Sequence, residues 1–264
     1  MRVRPPAVAG SFYPADAARL RAMVDSFLDR AADQPVPKAV IVPHAGYVYS
    51  GAVAGAGYAT LAGAAGLRHV VLLGPCHYVG HRGLALPEAD AMATPLGPVA
   101  LWPEGVERAL GLPGVSRDAA VHAREHSLEV QLPFLQGCLP EVDIVPLAVG
   151  WVSPEQVGAV IAALWGDATT AIVVSSDLSH YHPYDQARRL DQASVDQILA
   201  LNGPLDHDQA CGAGAINGLL AVAPSRRLTP HLIAQANSGD TAGDKDRVVG
   251  YAAIGFMEPA DVAG

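Results

Sequence analysis

Lysine is almost missing from this sequence: Lys38 and Lys245 are the only two, and charged side chains of either sign make up only 16% of the 264 residues. Soluble domains usually carry about 25%. Seventeen basic side chains face 26 acidic ones, for a net charge of −9. Such a surface repels phosphate backbones, so charge-driven binding to nucleic acid is excluded. Cysteine is sparse as well. Cys76, Cys138 and Cys211 contain no C-x-x-C pair, so neither a disulfide framework nor a thiolate zinc site is indicated. Residues 51–66 form an apolar run, but it is mostly Ala and Gly and too short to span a bilayer of ~30 Å. The opening stretch, MRVRPPAVAGSFYP, lacks an apolar signal core. We therefore expect a cytoplasmic protein with no membrane partner. No P-loop and no strand-linked G-x-G-x-x-G is found, which removes the main argument for a bound nucleotide.

Half of the residues are hydrophobic. That excludes disorder and lets a chain of this length bury roughly 70–75% of its unfolded surface. Pro14 and Asp16 open a first helix, in which Leu20, Met23, Val24, Phe27 and Leu28 share one stripe. After a proline-rich stretch at 34–37, short β-branched runs at 39–42, 69–73, 144–149 and 171–174 each end at Gly, Pro or Ser, and read as buried strands. Residues 248–256 supply a last strand. Between the strands, Ser153 with Pro154 and Gln156 caps one helix, a second is expected over 183–201, and a third over 206–222, opened by Asp206 with Gln209. Strands alternating with helices predict an α/β fold: one domain over residues 1–264, with a mostly parallel or mixed sheet covered by helices on both faces.

Ligand sites in such sheets form beyond the carboxyl ends of the strands. Three of those ends carry histidine: His44 in Pro-His-Ala-Gly-Tyr, His77 in Gly-Pro-Cys-His, and His180 in Ser-Ser-Asp-Leu-Ser-His. One such histidine is commonplace; three at equivalent positions point to a shared site. Neutral imidazoles from separate loops can hold a divalent metal, with a carboxylate completing the set. Asp240, in the glycine-rich segment before the last strand, offers that carboxylate. The segment 122–126 also matches H-x-x-E-H, an inverted zinc-protease pattern, but Pro133 breaks the long helix that such a site requires. His126 and Glu129 are better read as groups facing the strand-end site. The three cysteines are expected to be packed in the interior.

Ordered motifs over nearly the whole chain carry a resemblance. They include residues 4–14 (RPPAVAGSFYP), 43–47 (PHAGY), 73–75 (LGP) before His77, 125–129 (EHSLE), 175–177 (SSD) with His180, and 249–253 (VGYAA). With these the chain resembles the Memo family, in particular the bacterial proteins of the AmmeMemoRadiSam gene grouping. The resemblance implies the fold of class III (LigB-type) extradiol dioxygenases, non-haem Fe(II) enzymes that open catechol rings. It implies His44 and His77 as metal ligands and His180 as an acid/base; beside these, our reading of the residues adds His126 as a second catalytic candidate and places Asp177, Glu129 and Tyr47 around the site. Asp240 falls where dioxygenases place a glutamate and some Memo proteins a cysteine.

The expected function is a metal-dependent redox enzyme using Fe(II), with copper or zinc as other candidates, and a small aromatic or chelating substrate. Two further readings stand beside it. One is a binding module without turnover that partners a radical-SAM enzyme, an AMMECR-type protein or a peptide. The other is a metal-dependent hydrolase, which would use the same ligands to activate water.

Overall fold

The computed structural model describes residues 1–28, 36–64 and 66–259. The proline-rich stretch at 34–37 lies partly outside the described residues, and residue 65 of the Ala/Gly run does too. In chain order, the first half holds β1 (Val3–Arg4), α1 (Ala17–Leu28), β2 (Ala39–Val42), α2 (Tyr47–Ala59), β3 (His69–Pro75) and β4 (Leu84–Leu86). Next come β5 (Ala91–Thr94), β6 (Gly97–Ala100), α3 (Pro103–Leu110), β7 (Val115–Arg117), α4 (Ala119–Arg124) and α5 (Leu132–Cys138). The second half holds β8 (Asp143–Val149), α6 (Pro154–Ala163), β9 (Thr170–Ser175), β10 (His180–His182), α7 (Tyr184–Leu199), α8 (Ala213–Val222), β11 (Thr229–Asn237) and β12 (Val248–Met257).

The main sheet runs β10-β12-β2-β9-β3-β8-β4-β7, with β11 also paired to β12. Its centre, β2-β9-β3-β8, is parallel, and these strands are the β-branched runs recognised in the sequence. Such runs can be buried on both faces, and every residue of β2 and β9 is buried. The flanks are antiparallel: β12 against β2, β11 and β10, and β4 against β8. The sheet is therefore mixed, with helices covering both faces. One helical group is α1, α2 and α5, with α2 on β2 and β12; the other joins α6 to α8, with α8 on β3 and β9. A small sheet, β1-β5-β6, is set apart. No helix among the described residues is long and apolar enough to cross a membrane.

Residues 51–59 of the Ala/Gly run lie in helix α2, and their glycines make room for a neighbouring helix: a Cβ on Gly51 would lie 2.4 Å from the Phe27 ring, and one on Gly55 2.5 Å from Phe27 Cβ. One segment departs from the expectations. The third helix starts at Ala213 and not at Asp206. Asp206 and Gln209 do exchange hydrogen bonds, but they close a turn, because the Cys211 and Gly212 N–H groups are tied to Asp177 O and Ser176 Oγ beyond β9.

Candidate metal centre

Neighbouring strands lie about 4.8 Å apart, so the ends of β2 and β3, separated only by β9, are within reach of two imidazoles. His44 follows β2, His77 follows β3, and their ring centroids are 5.1 Å apart. His126 joins them from the segment after α4, with its ring 4.6 Å from His77 and 5.5 Å from His44. Ser127 staples that segment to the sheet: its Oγ donates to Pro75 O at 3.0 Å, and its carbonyl accepts from Ser175 Oγ at 2.7 Å. Gly74 is required beneath it, since a Cβ there would meet Ser127 Oγ at 2.9 Å. One ligand nitrogen from each of His44, His77 and His126 lies within 4.8 Å of the others.

The hydrogen bonds fix the tautomers. Ser175 Oγ already donates to Ser127 O and accepts from Gln131 Nε2 at 2.8 Å, so toward His44 Nδ1, 2.9 Å away, it can only accept. His44 therefore carries its proton on Nδ1 and presents a bare Nε2. His77 Nδ1 donates to Glu125 Oε1 at 2.9 Å, leaving its Nε2 bare as well. A carboxylate behind a histidine is the usual support of a metal ligand. Glu125 is buried, which by itself would raise its pKa. The hydrogen bonds from the His77 ring and from the His77 and Ser127 N–H groups outweigh burial and hold the carboxyl down at about 2. Burial lowers the His44 pKa well below the usual histidine value. Burial, helped by His77, lowers that of His126 to about 4. His44 and His126 are thus neutral and ready for a cation.

The fit of the cluster to a metal ion rests on one atom. His126 Nδ1 is buried and has no hydrogen-bond partner. Nearly all buried polar groups are paired, but Glu125 Oε1 stands 3.6 Å from this nitrogen, beyond hydrogen-bond reach, and a ring so loosely held beside two bare nitrogens suits an ion. Three imidazole nitrogens suit iron, copper or zinc.

The cluster opens into a cavity of about 1260 Å³. His180 and Asp177 line it, as expected. Burial raises the Asp177 carboxyl to about 7, against the N–H groups of His44 and Ala45 that it accepts. Burial also lowers the pKa of His180. Three expected site residues stand elsewhere. Asp240 is spent on capping: its carboxylate accepts from Asn237 N at 3.0 Å and from Tyr184 Oη at 2.5 Å, and the structure brings His126, not Asp240, to the two strand-end histidines. Tyr47 is the first residue of α2 and faces the core, donating to Val130 O at 2.6 Å; Tyr49 lines the cavity instead. Glu129 is wholly buried behind the site, where it holds Arg4, Tyr13 Oη and the Ala7 and Val8 N–H groups.

The H-x-x-E-H pattern does not form a helical site. α4 ends at Arg124, Glu125 is extended, and His122 points away to Ala85 O at 2.8 Å. Cys211, expected to be mere packing, is the residue the sequence reading missed. Its Sγ lines the cavity 3.3 Å from His44 Nε2. The buried thiol's pKa is raised chiefly by burial, so it carries its proton, with His44 Nε2 and Asp177 O both within reach of it. Only its place next to the turn of residues 206–209 could have signalled this.

The family model described as Memo-like protein matches residues 4–255. The chain belongs to this family. A MEMO1 family protein of Aquifex aeolicus is 36% identical over 270 residues, covering 97% of this chain and 100% of the relative. One from Archaeoglobus fulgidus is 37% identical over 271 residues, covering 96% and 99%. A solved structure of an uncharacterized Escherichia coli K12 protein covers 82% of this chain and 99% of its own, with TM-score 0.56 and 14% identity, a likeness of fold alone. The Memo-like match spans every histidine of the cluster.

Proposed function

We propose that this Memo-like protein is a metal-dependent redox enzyme of the dioxygenase type, acting on a phenolic or otherwise chelating substrate. The observation that carries the reading is the trio of converging imidazoles, one of which has a buried nitrogen without a hydrogen bond. His44, His77 and His126 would hold the ion, Fe(II) foremost, and when bound it supplies Lewis acidity and redox chemistry that side chains lack. The rest falls to the chain itself. Glu125 and Ser175 lock the rings of His77 and His44 so that their bare nitrogens converge. Phe12, its ring tilted against that of His126 with centroids 4.5 Å apart, covers one side and limits water. His180, kept neutral at pH 7 by burial, is the base that takes a phenolic proton from the substrate.

Metal analysis of the purified protein, then anaerobic Fe(II) loading and oxygen uptake with a panel of catechols, tests this. The expected result is bound metal that is lost in His44→Ala, and oxygen consumption that depends on a catechol. Unchanged metal content in His44→Ala rules the site out. Three nitrogen donors also form the ligand set of catalytic zinc, which favours a hydrolase as the second reading. Ester or amide hydrolysis with zinc, without oxygen uptake, would select it.

A further inference from the structure

The wall of the cavity opposite the histidine cluster in sequence, β10 and the start of β12, carries a strained tyrosine. His180 pairs with Val249 and His182 with Val248, so β10 advances two residues where β12 advances one, and Tyr181 is the extra residue of the bulge. Its φ is +62°, in the left-handed region that a bulky aromatic side chain seldom adopts. The side chain is also 61% exposed, although it lines the cavity. Neither strain nor exposure benefits the fold, and such outliers gather at binding sites. What the ring faces is Arg247, whose guanidinium carbon lies 4.9 Å from its centroid.

Arg247 is unusual in this chain. Among the described residues it is the sole lysine or arginine lining the cavity. Like most of the described arginines, and unlike Arg2, Arg4 and Arg117, it has no carboxylate among the described residues within 4 Å of its guanidinium; what sets it apart is its place in the cavity wall. The rim around it is acidic, with Asp206, Asp208 and Asp244. The carboxylates of Asp206 and Asp244 turn toward backbone, accepting from Gln209 N and Asp246 N. A planar fork held by its stacking on a phenol keeps its N–H edges free for a bidentate oxyanion. The tyrosine beside it offers a face for a second ring.

We propose that Arg247 and Tyr181 are the receptor for a carboxylate on a planar ring, so that the substrate of this cavity is an aromatic acid. Its acidic group sits at Arg247 while its other end faces the imidazoles. The histidine end rests on the function proposed above; the acid end does not, and it is read on metal-free protein so that the two can fail separately.

The test is calorimetric or fluorescence titration of metal-free protein with benzoate, 3,4-dihydroxybenzoate, catechol and 4-(2-aminoethyl)catechol. A charge-assisted bidentate contact at a partly exposed site predicts that 3,4-dihydroxybenzoate binds about tenfold more tightly than catechol. The aminoethyl compound, with the opposite charge, binds no better than catechol, and benzoate binds measurably. Arg247→Gln abolishes the preference and leaves catechol affinity unchanged, and Arg247→Lys restores only part of it, because the fork is lost. Tyr181→Gly weakens every ring compound while the melting temperature stays level or rises, since glycine accepts the positive φ. Equal binding of the acid and catechol, tighter binding of the amine, or a preference that survives in Arg247→Gln overturns the proposal. A Tyr181→Gly variant that melts lower but binds unchanged overturns the tyrosine's part in it.

Discussion

Two buried polar clusters grow from the short stretch between α4 and α5, and they are completed to different degrees. Around Glu129 every valence is used. Its two oxygens take Arg4, Tyr13 Oη and two backbone N–H groups, and Arg4 gives three further hydrogen bonds to the carbonyls of His122 and Glu125. Around Glu125 the carboxylate is equally satisfied, but the imidazoles that it and Ser127 place are not: His126 Nδ1 has no hydrogen bond, and Glu125 Oε1 stands 3.6 Å away from it. A saturated buried cluster holds a fold together; an unsaturated one waits for a ligand. The two are coupled through the N-terminal segment. Glu129 grips Ala7, Val8 and Tyr13, and between those anchors Phe12 reaches over to pack against His126.

The contrast can be broken from either side. The largest effect is expected for Glu129→Leu, which leaves the Arg4 guanidinium buried without a counter-charge and should cost about 3–5 kcal/mol in chemical denaturation. A loss below 1 kcal/mol would show that the knot is not structural. His126→Leu should behave in the opposite sense: metal retention is lost, while metal-free stability is unchanged or rises by about 1 kcal/mol, because an unpaired buried nitrogen is removed. Destabilisation comparable to that of Glu129→Leu would erase the distinction between the clusters.

Acid should weaken the metal-free protein next. The folded pKa values of His122 and His126 lie near 4, and that of His44 is also depressed, all below the unfolded value. Their contribution is therefore complete above about pH 6.5 and is lost as pH falls toward 4. Glu125, at about 2, extends the loss to lower pH, while Asp177, raised to about 7, works in the other direction. Three imidazoles outweigh one carboxyl, so the melting temperature should drop between pH 6.5 and 4; a level profile would contradict the buried neutral cluster. The smallest effect is reserved for Asp240→Asn. It disturbs a cap on the surface and should leave metal content as in the parent protein, and any loss of bound metal would return Asp240 to the site.

Much of this was legible in one dimension. The central strands announced themselves because β-branched runs buried on both faces leave no other reading, and their carboxyl ends pointed to His44, His77 and His180. The mixed flanks were less visible, since β10 and β4 are only three residues long. The third helix was read too early because Asp206 and Gln209 make the same reciprocal bonds in a turn as they would at a helix start. Asp240 reads as a ligand for a related reason: an Asx-rich turn before a strand resembles a ligand loop, and in the structure its carboxylate caps Asn237. His126 was marked as a neighbour of the site, but its place among the donors depends on Ser127 reaching Pro75, a contact between residues 52 positions apart.

By itself, then, the order of residues determined the sheet's centre, the side of it that carries chemistry and two of the three converging imidazoles, because hydrophobic patterning and strand ends are local properties. Tertiary structure alone decided that His126 rather than Asp240 completes the trio, that Cys211 lies against His44, and that Arg247 meets a strained Tyr181. Those meetings depend on how loops cross the end of the sheet. No periodicity records that crossing, because the hydrogen bonds that set it join segments far apart in the chain.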